Sequence, residues 1–498
     1  MIRRLAVLAA VLGLVAAACG GPYAADSGPT TLTVGATAEP PTLDPTVSSA
    51  AAIPQVLLYN VYQTLVKLDA RGEIKPLLAR SWTVSPDRKT YTFRLQPEAE
   101  FSNGDPLRAS DVVFSINRVL ARGSTHPFKA QMEPVAKAQA EGLHTLVVRL
   151  KNPSNGWLFS MTGTVGIVFD RNAVATIATK PVGSGPFRFG SWVRGTSITL
   201  DRNPRYHGDA PSIDHVVFRY FSDPNAMNNY LLTDQLDVIS NVQAPQTIPE
   251  FDDRSRFSLT VGTTTGEIVL AMNDSRGPLR DKLVRRAICY AIDRKSLVKT
   301  VWSGYGTLIG SMVPPTDPWY QDLSGKYPYD PEKARKLLAQ AGYPHGFRLQ
   351  MKLPTLPYAT GAGQFVASEL KSVGINAQIS QLEFPARWLD VVFTKGDYDL
   401  SIISHVEPRD IANYGNPKYY WHYDSPRVRS LLARADSGTP QQQIRFMREV
   451  ARTIADDAAS DWLFLLPNLI VARKGVTGFP KNAASESFDL SNIHKASS

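Results

Sequence analysis

Between Trp82 and Val119 the apolar residues change their period once, and that change limits the fold more than any other stretch. Trp82, Val84, Tyr91, Phe93 and Leu95 recur at two-residue spacing on either side of the polar turn Ser85-Pro86-Asp87-Arg88-Lys89, which places one row of side chains on one sheet face and predicts a hairpin. Asn103-Gly104-Asp105-Pro106 then reads as a turn, glycine allowing positive φ and proline fixing it. Ser110 is the expected cap of a helix whose apolar positions Val112, Val113, Ile116 and Val119 follow at helical spacing. A hairpin and a helix must therefore share one core. Further strands are expected at Thr31–Ala36, Thr145–Lys151, Ser197–Asp201 and Val216–Phe221. From about residue 263 to 469 helical patterns alternate with strands: Gln364–Val373 then Ile375–Ser380, and Phe446–Asp457 then Trp462–Leu466. Such alternation argues for an α/β fold class.

The N-terminus is of another kind. MIRRLAVLAAVLGLVAAACGG sets two arginines before an apolar run from Leu5 to Ala18 and ends it with small residues and Cys19. This is the pattern of a secretory signal segment, and it is shorter than the roughly 20 residues a comfortable membrane span needs. Ala16-Ala17-Ala18-Cys19 resembles a bacterial lipobox, so residues 1–18 are read as a lipoprotein signal peptide, Cys19 as the lipidated first mature residue and 19–30 as the tether. The chain has two cysteines. With Cys19 lipidated, Cys289 has no disulfide partner and is expected on a buried helix face as a small hydrophobe. An exported chain without disulfides must be held together by its core, which 498 residues with 43% hydrophobic content suffice to build.

The formal net charge of +9 includes Arg3 and Arg4 of the signal segment and contains no Lys/Arg run of five. It reads as a solvated surface and not as a nucleic-acid footprint. Motifs for chemistry are missing: Gly183-Ser184-Gly185 lacks the Gly-x-Ser-x-Gly elbow, and no phosphate-binding or dinucleotide-binding glycine pattern follows a strand. The eight histidines are scattered without a His-x-x-x-His pair, so no protein-ligated metal and no cofactor is expected. An enzymatic role is not indicated.

As strings, several segments resemble one known family in its own order. Pro76–Arg118 is similar to the signature region of solute-binding protein family 5, the peptide, nickel and related extracytoplasmic receptors of ABC importers. Glu39–Pro45 resembles its opening strand and turn, Tyr59–Val66 the helix that follows, and Gly183–Trp192 its glycine-rich return strand. Asn203–Gly208 resembles its next turn, Arg285–Arg294 and Asp330–Ala339 its second-lobe helices. The resemblance implies a two-lobed periplasmic-binding-protein-like fold of type II with an extra inserted domain. The first lobe is then 31–51 plus 175–262 plus 470–498, the inserted domain 52–174 and the second lobe 263–469. It implies a monomeric receptor, lipid-anchored to the outer face of the bacterial cytoplasmic membrane, that captures a small solute, foremost a short peptide, and passes it to an ABC permease and ATPase. The alternative is a receptor-fold lipoprotein for a metal chelate, haem or sugar, or an envelope sensor uncoupled from transport.

The family places much of its cleft in the first strand-turn, here Ser48 and Ser49, and after the strand Tyr398–Ile403, here Ser404–Tyr414. In peptide-binding members this second segment carries a tryptophan with an aspartate three residues on. His405 holds the first position in this chain and Pro408 the second, while the arginine some members place upstream falls on Ile402. A peptide needs a carboxylate for its ammonium and a cation for its carboxylate, because desolvating either charge unpaired costs several kcal/mol. Glu407 or Asp410 is the candidate for the first and Arg409 for the second, with local surface pairing as the alternative. Trp388, Tyr414, Trp421 and Phe128 are the candidate cleft walls, aromatics giving wide contact with few rotatable bonds; core packing is the alternative for Trp388. His405 and Ser404 complete the expected set.

Overall fold

The hairpin forms as its period requires. In the computed structural model, which describes residues 29–496, strands Ala79–Val84 and Thr90–Leu95 pair antiparallel with Trp82 opposite Phe93 and Val84 opposite Tyr91. The signal segment, Cys19 and nearly all of the tether lie outside the described residues. Arg88 takes the left-handed conformation in the turn, φ 57°. Strands Thr145–Leu150 and Val135–Ala140 extend the hairpin to a four-stranded antiparallel sheet. Helix Ala109–Leu120 covers one face, burying Val112, Ile116 and Val119 against Phe93, Leu146 and Trp157.

That helix starts earlier than its cap residue predicts. Arg108 is the N-cap, Ser110 lies within the first turn, and the Asp111 carboxylate accepts from the Arg108 N–H at 2.8 Å. A carboxylate there satisfies an orphan donor and lies at the positive end of the helix dipole, which moves the start back by two residues. The helix expected over Tyr59–Val66 is also displaced. The helix is Ala52–Leu57; beyond it Tyr59 adopts φ 63° and the chain runs in turns and isolated bridges to the strand Val66–Leu68. The reason is backbone packing. The Gly183-Ser184-Gly185 segment lies directly against this stretch, so that a Cβ on Gly183 would stand 2.0 Å from the Val61 carbonyl oxygen and one on Gly185 2.3 Å from that of Asn60. Asn60 and Val61 carbonyls instead accept from Phe187 and Gly185 N–H groups, both at 2.9 Å. Non-helical carbonyls are needed for these bonds.

A ten-stranded mixed sheet runs through both lobes. Its first-lobe part includes Thr31–Ala36, parallel to His215–Tyr220, which continues antiparallel to Ser197–Arg202 and Phe187–Val193. Its second-lobe part includes Phe347–Pro354 and Ile375–Leu382, a parallel pair joined by helix Pro357–Ser372, the arrangement expected of a strand-helix-strand crossover. Two long strands connect the halves: Phe257–Met272 and Ser460–Arg473 pair antiparallel from Phe257 opposite Arg473 to Ala271 opposite Ser460. Their register breaks between Thr263 and Glu267, close to the expected lobe boundaries at 262/263 and 469/470. Irregular pairing inside these two strands weakens the ladder locally.

The second lobe packs both faces of its sheet. One core gathers Ile268, Leu270, Val284, Ile288, Leu353 and Val366, and Cys289, on helix Lys282–Ala291, is 1% exposed within it. The other gathers Val269, Ile403, Trp388, Tyr398, Trp421 and Val450. Buried Arg294 ties the two together, donating to the carbonyls of Ile309, Trp462 and Ser324 at 3.0, 3.2 and 2.6 Å with Asp461 at 3.6 Å. No helix among the described residues is long and apolar enough to cross a membrane.

Candidate functional site

A cavity of about 450 Å³ opens between the two lobes. On one side stand Leu68, Phe128, Phe159 and Thr162 of the hairpin domain; on the other Trp319, Glu407, Pro408, Arg409 and Met447 of the second lobe. Ser485 and Glu486 of the C-terminal return close it. A concave, mostly apolar space with a few charges is the usual form of a small-ligand site.

Its polar wall follows from the strand Leu400–His405 and the turn after it. The strand ends at His405, and Arg409, with φ 64°, turns the chain back into the short helical segment Asp410–Gly415. This left-handed residue is costly for a non-glycine side chain and marks functional segments often enough to note. Glu407, Pro408 and Arg409 border the cavity, while buried His405 and Asp410 lie just behind it, with polar side-chain atoms of His405, Glu407 and Asp410 all within 4.8 Å of one another.

Behind the wall, His405 is fixed at both nitrogens, with Nδ1 3.0 Å from Asp410 Oδ2 and Nε2 2.9 Å from the Tyr420 hydroxyl. Burial disfavours its cation, but the adjacent Asp410 carboxylate outweighs this, and the ring is held above its ordinary value. Burial pushes the Asp410 carboxyl up against the lowering pull of His405. Glu267, across the strand pair from His405, is raised well above the carboxylate range by burial and by repulsion from Asp410. The group is thus a buried, hydrogen-bonded His405–Asp410 pair beside a carboxyl, Glu267, whose charged form burial disfavours. Asp410 does not line the cavity and is not positioned to take a ligand's ammonium.

On the cavity side the Arg409 guanidinium is stacked between two rings, 3.6 Å from the Phe159 centroid and 4.8 Å from that of Trp319. Phe159 belongs to the hairpin domain and Trp319 to the second lobe, so this cation–π sandwich joins them. Burial lowers Arg409 to about 10, still charged at neutral pH, with Asp317 at 3.8 Å as its counter-ion. Burial likewise pushes Asp317 up to about 6 despite Arg409. Glu486 is pushed up to about 8, first by burial and then by repulsion from Glu407.

At the rim the lobes are latched. Asp436, in helix Pro426–Ser437, accepts from the Ser154 hydroxyl at 2.9 Å and the Gly156 N–H at 2.8 Å through one oxygen. Asn155 donates to the Ala435 and Gly438 carbonyls, each at 2.8 Å, and Arg88 to the Ser437 carbonyl at 3.2 Å. The hairpin turn and the segment Ser154–Gly156 together cap the C-terminal end of the second-lobe helix.

Of the residues expected from sequence, Phe128, Glu407 and Arg409 line the cavity. Trp388 instead packs in the second-lobe core, its Nε1 donating to Ser401 Oγ at 3.1 Å. Tyr414 and Trp421 stack on each other at 4.2 Å, also in that core. Ser404 lies on the strand, its N–H bonded to the Tyr358 hydroxyl at 3.0 Å. Ser48 accepts from the Ala50 N–H at 3.2 Å, and neither it nor exposed Ser49 borders the cavity. Sequence reasoning missed Phe159, Trp319, Asp436 and Glu486. Only Trp319, in the Pro-rich stretch Val313–Trp319, carried a local signal of an ordered loop.

Residues 73–431 match the family model described as bacterial extracellular solute-binding proteins, family 5 Middle. The glutathione-binding protein GsiB of Escherichia coli (strain K12) is 28% identical over 356 residues, 70% of this chain and 69% of GsiB. The probable D,D-dipeptide-binding periplasmic protein DdpA of the same organism is 26% identical over 493 residues, 93% of this chain and 94% of DdpA. Among solved structures, the binding protein AgaA of A. tumefaciens R10, in complex with agropinic acid, superposes with TM-score 0.83 at 25% identity, covering 94% of this chain and 99% of AgaA. A dipeptide-binding protein of Pseudoalteromonas sp. SM9913 in complex with Met-Leu gives TM-score 0.83 at 21% identity, with 94% and 100% coverage.

Proposed function

This chain belongs to the bacterial extracellular solute-binding proteins of family 5, and from that premise we propose that the cavity between its lobes takes a short peptide. The protein is an extracytoplasmic solute-binding receptor of the ABC-importer type. The single observation that supports a peptide ligand is the composition of the cavity wall: carboxylates at Glu407 and Glu486, a cation at Arg409, and apolar side chains between them. A peptide's ammonium fits against the carboxylates and its carboxylate against the guanidinium edge, both charge-assisted. Its body lies on Phe128, Phe159 and Met447. The space suits a ligand of a few residues. Relatives named for glutathione and D,D-dipeptides are in keeping with that size.

Binding favours closure because the walls come from both lobes, and contacts made only in the closed form shift the population toward it. The closed receptor hands its ligand to a permease. Cys19 as a lipid anchor, a monomeric state and the division into 31–51 plus 175–262 plus 470–498, 52–174 and 263–469 belong to the same proposal. Native mass spectrometry of the protein from its own host, with release and identification of the bound molecule, tests the ligand. Short peptides bound one per chain are the expected result. One non-peptide species, such as a metal chelate or an opine, refutes the peptide assignment and leaves the receptor class standing.

A further inference from the structure

The chain carries a formal charge of +9, yet its cleft is acidic. Each charged group around the cavity has a partner except two. Arg409 lies against Asp317 at 3.8 Å. His405 lies against Asp410 at 3.0 Å. Asp436 is taken up by Ser154 and the Gly156 N–H across the rim, Arg88 by backbone carbonyls and Asn155 at the same rim, and Lys67 by Asp489 at 3.0 Å. Glu407 and Glu486 remain. Both border the cavity; the Glu407 carboxylate accepts the Val406 N–H at 3.3 Å and lies within 4.8 Å of the His405–Asp410 pair, and neither Glu407 nor Glu486 forms a direct ion pair among the described residues. They come from different parts of the chain, one from the turn after Leu400–His405 and the other from the C-terminal return, and their mutual repulsion is felt at Glu486.

An unpaired carboxylate at Glu407 and a second carboxyl at Glu486, which burial and this repulsion keep protonated, stand at the wall of an enclosed, mostly apolar space, and a cation entering between them stabilises the ionised form of both. An ordinary zwitterion brings one ammonium but also one carboxylate, and the one cation bordering the cavity among the described residues, Arg409, would be shared between that carboxylate and Asp317. A neutral ligand therefore leaves the site one positive charge short. We propose that the preferred solute carries net positive charge, as a short peptide with a lysine or arginine side chain does, and that Glu407 and Glu486 together hold its cationic groups. This rests on the peptide reading for the scaffold of the ligand, but its charge requirement is independent of that scaffold. A cleft lined by one sign of charge between low-dielectric walls also focuses its field outward and raises the capture rate of cations.

The test is isothermal titration of the mature chain with three dipeptides of similar size: Ala-Lys, Ala-Ala and Ala-Glu. The expected order is Ala-Lys tightest by at least about tenfold over Ala-Ala, with Ala-Glu weakest, and a Lys/Ala preference that shrinks as salt rises from about 50 to about 300 mM and the Debye length falls. In E486Q and in E407Q the Ala-Lys over Ala-Ala ratio is expected to fall by about tenfold, one charge contact being worth roughly a factor of ten. Circular dichroism and thermal melting establish that each variant is folded. Equal or tighter binding of Ala-Ala or Ala-Glu overturns the proposal, as does a ratio unmoved in both variants. If no dipeptide binds, agmatine and spermidine are titrated next. Binding of either, lost in E486Q, supports the charge inference while refuting the peptide scaffold; absence of binding by every cation refutes the inference itself.

Discussion

Replacing Asp436 by alanine should open the cleft by releasing a latch at its rim. The wild-type carboxylate accepts two hydrogen bonds from the hairpin domain, from Ser154 Oγ at 2.9 Å and Gly156 N at 2.8 Å, while its own helix belongs to the second lobe. Hydrogen bonds to a charged group contribute about 1.5–3 kcal/mol each when well shielded. Asp436 is half-buried, so about half the lower figure applies to each bond, a shift of about 1.5 kcal/mol in the closure equilibrium. This lowers the closed-to-open ratio about tenfold, and apparent affinity falls by the same factor because only the closed form holds ligand fully. The assay is fluorescence energy transfer between K137C and Q441C, exposed positions of the two lobes. Cys289 does not interfere, being 1% exposed with its thiol pushed well up by burial. In titrations with the co-purified ligand, the closure midpoint of D436A should lie about tenfold above that of wild type, with S154A between them. D436N, which keeps an acceptor oxygen, should recover part of the loss. A midpoint within twofold of wild type in D436A would refute the latch and the closure energetics drawn from it.

Three further expectations concern the same molecule. R409K keeps a cation beside Asp317 but loses the flat stack between Phe159 and Trp319; cation–π contacts of about 0.5–2 kcal/mol predict a three- to thirtyfold weaker ligand affinity, and a wild-type dissociation constant by calorimetry would contradict it. R294A leaves Asp461 buried without a counter-ion and three carbonyls without a donor, so urea unfolding should show a loss of about 3–5 kcal/mol; a loss below about 1 kcal/mol excludes the role. Glu486, held at about 8, is protonated in the unliganded protein at neutral pH and must ionise to pair with a cation. Affinity for a cationic ligand should therefore rise with pH from about 6 and level off above about 8, by up to tenfold per unit. The slope should vanish in E486Q. For stability the sign is opposite: this raised carboxyl favours the fold below its unfolded value and loses that contribution as pH rises through about 8.

Much of the architecture was written locally. The hairpin Ala79–Leu95, the helix packed on it, the paired strands around Phe347–Leu382 and the buried face of Cys289 follow from periods of two and 3.6, because such patterns can bury their apolar side in one way only. The order of family-like segments carried the two-lobed fold and the receptor class. Less local matters escaped. Whether Tyr59–Val66 is helix depended on two glycines more than 100 positions away that press their backbone against its carbonyls. The turn after His405 reverses at Arg409 in a left-handed conformation that no spacing rule assigns to arginine. Asp410 follows that step and is buried behind the cleft, while Glu407 borders it. Glu486, Trp319, Phe159 and Asp436 meet only because the C-terminal return, a second-lobe loop, the hairpin domain and a distant helix converge on one cavity. Composition and local pattern determine which segments become sheet, helix and core, since those depend on neighbours along the chain. A cleft's charge depends on which carboxylates remain unpaired once every segment has docked, and only the tertiary structure decides that.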